Sequence, residues 1–164
     1  MAVATNKVPN RRELHFNSVE EILADVERLA KGDIRPLGNW SAGQILKHLA
    51  VVMNASIDGP GFRLPWYMRL LGRIIRKRVL NGPMSAGFQL PSNAAKVLVP
   101  APTSLEEGLA VFRHAVHRQQ TETGRQPSVF LGPLTAEEWT QLHCRHAELH
   151  LSFLAPDETP VRKE

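Results

Sequence analysis

The 164-residue sequence contains one cysteine, one tyrosine and only 6% aromatic residues. A single thiol, Cys144, cannot build a disulfide framework or an all-cysteine metal site. No stretch approaches the roughly 18 apolar residues needed to span a membrane. The start, Met1 to Arg12, is polar and lacks the apolar core of a secretory signal. Together these absences make a cytoplasmic location the expectation. Strand signals are nearly missing as well: Ala95 to Val99 is the one β-prone run, and Pro100 limits it. Acidic residues are missing locally, with no Asp or Glu between Gly59 and Leu105.

What remains is ordinary globular material, 43% hydrophobic and 22% charged. The length suits one domain over residues 1–164, with a core of about 11–155 and a frayed tail at 156–164. Four places carry a helix start signal, Ser or Thr followed three residues later by Glu or Gln: Ser18/Glu21, Ser41/Gln44, Ser104/Glu107 and Thr135/Glu138. In this capping box the hydroxyl accepts from an orphan helix N–H while the acid or amide reaches back. Trp40 with Ile45 and Leu134 with Trp139 have the spacing of hydrophobic staples.

Each signal precedes an apolar stripe at helical spacing. The stripes predict helices from Val19 to Ala30, Ala42 to Ile57, after Ser104 to Thr121, and Ala136 to Leu154, where Pro156 stops the last. The fold expected is all-α, a four-helix bundle. Between its second and third helices lies an insertion of about residues 60–102. Pro65 to Leu80 is helix-compatible, with Trp66, Leu70, Ile74 and Ile75 as its apolar side, and Asn81 to Pro102 reads as a loop.

The net charge of +4 comes entirely from this insertion. Its window of 59–105 holds Arg63, Arg69, Arg73, Arg76, Lys77, Arg78 and Lys96 against no acid, whereas the rest of the chain is slightly acidic. A basic amphipathic helix can lie on an anionic membrane surface or on nucleic acid. The plainer alternative is a helix docked by its apolar side with its arginines in solvent. That reading is preferred, because charge runs commonly do no more than solvate a face. The segment also lacks the aromatic interleaving of a single-strand binder.

Seven histidines stand against the lone cysteine. His143, His146 and His150 share one face of the last predicted helix, in line with Trp139 and Phe153. His146 and His150 are one turn apart, close enough for two imidazoles to meet one ion. Glu148 sits some 200° round the helix from His146, which separates this pattern from the His-Glu-x-x-His motif. Its expected position faces solvent, a poor one for a general base. On the second helix His48 falls on the apolar stripe with Ile45 and Val52. A histidine there is either a satisfied core residue or a third ligand, and inward histidines from two helices favour the ligand. His114 and His117 read as surface residues, with His117 near enough to the stripe's border to support a ligand. His15 carries no signal, and Cys144 reads as an inert thiol.

These residues together resemble the DinB/YfiT-like superfamily. The likeness is carried by Trp40-Ser41-x-x-Gln44-x-x-x-His48-Leu49, by the block Gly132-Pro-Leu-Thr-Ala-Glu-Glu-Trp139, and by His146-x-x-x-His150. Arg11-Arg12-Glu-Leu and Asn39-Trp40-Ser41 narrow it to a bacterial branch. The resemblance implies a four-helix bundle with a divalent metal held by His48, His146 and His150, and thiol-dependent transferases and isomerases occur among the relatives. His143 has no counterpart among the ligands. It becomes a catalytic candidate that lines the pocket, orients a ligand or shuttles a proton.

The function expected is therefore a metal-dependent thiol S-transferase or hydrolase acting on a small molecule or low-molecular-weight thiol. Zinc, nickel and iron all suit three imidazoles. Two alternatives stay open. One is a non-catalytic metal-binding or stress-associated interaction protein that works as a homodimer; the other is a basic binder of nucleic acid or anionic surfaces.

Overall fold

Four hydroxyls do what their spacing predicts. Ser18, Ser41, Ser104 and Thr135 each accept a hydrogen bond from the backbone N–H three residues on, at 3.1 to 3.3 Å. Only Ser41/Gln44 and Thr135/Glu138 close the reciprocal box. The other two acids have better partners: Glu21 accepts from the Asn17 N–H at 2.8 Å, and Glu107 from the Lys47 ammonium at 2.7 Å. The computed structural model describes residues 3–87 and 91–157.

The capped helices are α1 (Val19–Leu29), α2 (Ala42–Asp58), α5 (Leu105–Thr121) and α6 (Ala136–Leu151), with α3 (Trp66–Asn81) and α4 (Ser92–Leu98) in the insertion. A 3₁₀ turn at Thr5–Lys7 precedes them. The architecture is mostly helical, as expected. Helix α2 packs on α5 and α6, and α1 packs on the same two, so the four capped helices enclose one core. Ile22, Leu46, Leu49, Met53, Phe112, Val116 and Leu151 are almost wholly withdrawn from water there. Burial of such side chains is worth roughly 1.5–3 kcal/mol each relative to exposure.

Helices α2 and α5 meet backbone to backbone. A Cβ on Gly43 would lie 2.2 Å from the Ser104 carbonyl oxygen, and one on Gly108 would lie 2.6 Å from the Gly43 carbonyl oxygen. Real Cβ atoms do not come that close, so both positions require glycine. The contact holds the N-terminal end of α2 against the start of α5.

Three expectations fail, each for a tertiary reason. The last helix ends at Leu151 rather than Leu154, and the chain turns into β2 (Leu154–Pro156), antiparallel to β1 (Ile34–Pro36), with Arg35 opposite Ala155. Pro156 thus belongs to a paired strand, and the Asp157 N–H continues the pairing to the Asp33 carbonyl at 2.8 Å. Residues 156 and 157, expected in a frayed tail, are paired instead, and the rest of that expectation, 158–164, lies outside the described residues. The stretch Asn81 to Pro102, expected as a loop, contains α4, and the β-prone run Ala95 to Val99 falls largely in that helix, which packs on α2. Strand propensity expresses itself where a neighbouring strand exists, and here the neighbour is a helix.

The third failure is α3. Its apolar side was expected to dock, yet Trp66, Leu70 and Ile74 face water, along with Tyr67 and Leu71. What docks is the opposite side. Gly72 lies so close to the Phe130 backbone that a Cβ would sit 2.0 Å from its carbonyl oxygen. Leu80 is buried, and Arg76 forms a short ion pair with Glu138 of α6. No helix among the described residues is long and apolar enough to cross a membrane.

Candidate metal centre

Two helices supply the site. His48 comes from the second turn of α2, and His146 and His150 come from successive turns of α6. One ring nitrogen from each lies within 4.8 Å of the others. The Nε2 atoms of His48 and His146 are 3.1 Å apart. The ring centroids are separated by 4.5 to 4.9 Å, every pair edge-on. His48 is buried, and His146 and His150 are half-buried.

The outer side of the site fixes the tautomer of His48. Its Nδ1 lies 2.7 Å from the Leu98 carbonyl oxygen at the end of α4. A carbonyl only accepts, so Nδ1 carries the proton and Nε2 points its lone pair at the other two histidines. The insertion therefore has a role at the centre: its short helix sets the orientation of His48. Trp40, just before the α2 cap, closes one wall. Its ring stacks on His150 at 5.6 Å and an interplanar angle of 8°, and leans on His48 at 5.0 Å and 54°.

All three imidazoles are held neutral. Burial lowers the pKa of His48. Burial, then the nearness of His150, His48 and His143, pushes His146 well down. His150 falls to about 3, through burial first, then His48 and the Arg11 guanidinium. Neutral imidazole is the form that binds a metal. Two nitrogens sharing one tetrahedral ion stand about 3.3 Å apart, given bonds of about 2.0–2.1 Å. The 3.1 Å separation of His48 and His146 is close to that, and with the third nitrogen within 4.8 Å of both the three could hold a divalent cation.

His143 does not join the three. It lies a turn earlier on α6, buried, stacked on Trp139 at 5.3 Å, with Nε2 3.3 Å from the Ser56 hydroxyl. That hydroxyl donates to the Met53 carbonyl at 2.6 Å and accepts from the Gln119 amide at 3.0 Å. Its own proton is spent on Met53, so it accepts from His143 Nε2–H. Burial, and secondarily Arg125, lowers the His143 pKa to about 3. His114 and His117 are exposed on α5, so His117 does not reach inward. Cys144 is buried and its pKa is pushed up to about 11, mainly by burial, which suits an inert thiol.

Glu148 departs from expectation. It is turned away from the histidines, as helix geometry requires, but it is only 12% exposed rather than solvated. The segment before α1 crosses this side of α6, and Glu148 accepts from the Phe16 N–H at 2.7 Å and pairs with Arg145 at 2.6 Å. The same segment carries Arg11, which stacks on the Phe153 ring at 4.0 Å and donates to Ser152 Oγ and the Leu149 carbonyl. Trp40, Arg11 and the Leu98 carbonyl are the parts of the site that sequence spacing did not assign. The Trp-Ser pair at 40–41 was visible, but as a helix start.

A family described as "Protein of unknown function (DUF1569)" matches residues 8–157. The chain belongs to this family. The match takes in α1 to α6, both strands and all three histidines of the centre. No curated protein and no solved structure matches the chain.

Proposed function

We propose that this DUF1569 protein binds one divalent metal ion through His48, His146 and His150 and uses it in chemistry on a small molecule. The observation that carries the reading is the convergence of three neutral imidazoles, one with its lone pair aimed inward by the Leu98 carbonyl. A simple packing role does not need that arrangement. Buried histidines are usually satisfied by separate partners, as His143 is by Ser56. Three protein ligands are the mark of an open site, with a coordination position left for water or substrate.

The finer assignment is a DinB-like metalloenzyme, a thiol S-transferase or hydrolase, and it rests on the motif resemblance together with this donor set. A bound divalent ion would lower the pKa of a coordinated thiol or water and so supply a nucleophile near neutral pH. The protein's own residues do the rest. Leu98 fixes the His48 tautomer, and Trp40 bars one side of the triad to water. Arg11 supplies positive charge near His150, which favours a substrate bearing a carboxylate or thiolate. His143, with its proton committed to Ser56, is a positioning residue of α6 rather than an acid or base.

The test is elemental analysis of wild type beside a His48→Ala/His146→Ala/His150→Ala variant, both from metal-replete cells. The expected result is about one ion per wild-type chain, as one three-ligand site holds, and near zero in the variant. Equal metal in both, with no uptake by wild type on titration, overturns the proposal.

A further inference from the structure

Helix α3 is amphipathic in the opposite sense to the helices of the core. At 100° per residue, Trp66, Leu70, Ile74, Tyr67 and Leu71 occupy one arc of about 140°. All five are exposed, Trp66 and Ile74 by 74% and 72%. The borders of that arc and positions within it carry Arg73, Lys77 and Arg78, also exposed. The other side is committed to the protein through Gly72, Leu80 and the Arg76–Glu138 ion pair. A folded chain does not ordinarily leave five large apolar side chains in one contiguous outward patch.

We propose that this face of α3 docks onto an anionic phospholipid bilayer. Charge complementarity selects the partner. On this face Arg73 borders the apolar strip and Lys77 and Arg78 stand within it, no acid occurs anywhere in 59–105, and Trp66 and Tyr67 lie at one end. That is the composition of a helix lying in the plane of a membrane interface, its apolar side among the acyl chains and its cations among phosphates. A second copy of the chain fits less well. Two-fold pairing through this face would bring both copies of Arg73, Lys77 and Arg78 into one interface, with no carboxylate in the window to offset them. Nucleic acid would engage the cations but leave the apolar arc unused, and the two aromatics sit together rather than in a ladder. The proposal does not depend on the metal centre.

The experiment is vesicle co-sedimentation of the full chain with phosphatidylcholine alone and with equal parts phosphatidylcholine and phosphatidylglycerol. Binding is expected to the mixed vesicles, weakening as salt is raised, and to be at least about tenfold weaker with neutral vesicles. A Leu70→Ser/Ile74→Ser variant and an Arg73→Gln/Lys77→Gln/Arg78→Gln variant should each lose about tenfold or more. All of these side chains are exposed, so unchanged circular dichroism verifies the fold. Vesicles should shift wild-type tryptophan emission to the blue, and Trp66→Phe should abolish the shift. No binding to the mixed vesicles, or equal binding by the variants, overturns the proposal. So does a solution dimer that Leu70→Ser/Ile74→Ser dissolves, which assigns the face to a second copy. Retention of a DNA duplex without vesicle binding also overturns it.

Discussion

Helices α6 and α3 pack against each other, yet they solve opposite problems. On α6 the inward face carries polar imidazoles, costly to bury, and the fold satisfies or gathers each of them. On α3 the outward face carries apolar side chains, costly to hydrate, and the fold leaves them uncovered. Both faces violate the rule of apolar inside and polar outside. Such violations are retained where they serve something other than stability. The contrast sets a cluster of polar side chains, built by convergence, against an apolar face, left by exposure.

The first way to press the comparison is to measure what ordinary core packing is worth. Phe112→Ala, at a fully buried position on α5, should cost about 3–5 kcal/mol in urea unfolding. Next, ligands and bystanders on α6 should part company. His146→Ala should weaken metal binding by at least about 100-fold in a titration, exceeding the effect of losing a residue that only supports a ligand. His143→Gln should leave affinity within about tenfold, because Ser56 rather than the triad is its partner. If both variants lose metal equally, His143 belongs to the centre.

Acid should then distinguish the two helices. The histidines on α2 and α6 have pKa values lowered by burial, His143 and His150 to about 3. A histidine unfolded titrates near 6.5, so below that pH the unfolded chain binds more protons than the native one. Stability of the metal-free protein is therefore fully present above about pH 6.5 and declines as pH falls toward 3. His143→Gln should flatten that decline, read as the urea midpoint against pH. The smallest effect belongs to α3: Ile74→Ser should change unfolding free energy by no more than about 0.5 kcal/mol, since no burial is lost. A larger loss would mean that this face is covered.

Much of the fold was legible because its signals are local. A hydroxyl, its partner acid or amide three residues on, and the stripe that follows are set within two helical turns. His146 and His150 were legible for the same reason, as neighbours one turn apart. His48 was a weaker inference, since its approach to them depends on the packing of α2 against α6, helices far apart in sequence. The expectation that Glu148 would be solvated got its direction right and its surroundings wrong. Helix geometry fixes the angle, but the segment that covers it lies 132 residues away in sequence.

The sequence by itself determined four capped helices, the inward line of α6, the lack of any cysteine pair within these 164 residues and the concentration of positive charge in one insertion. Each depends on residue type and spacing within a few turns. Only the tertiary structure decided that α4 would hold His48 by a carbonyl, that Trp40 would cover the triad, and that α3 would turn its apolar face outward. An amphipathic helix defines two faces but not which one meets the protein. That choice went to the side where Gly72 lets the backbones touch and Arg76 finds Glu138.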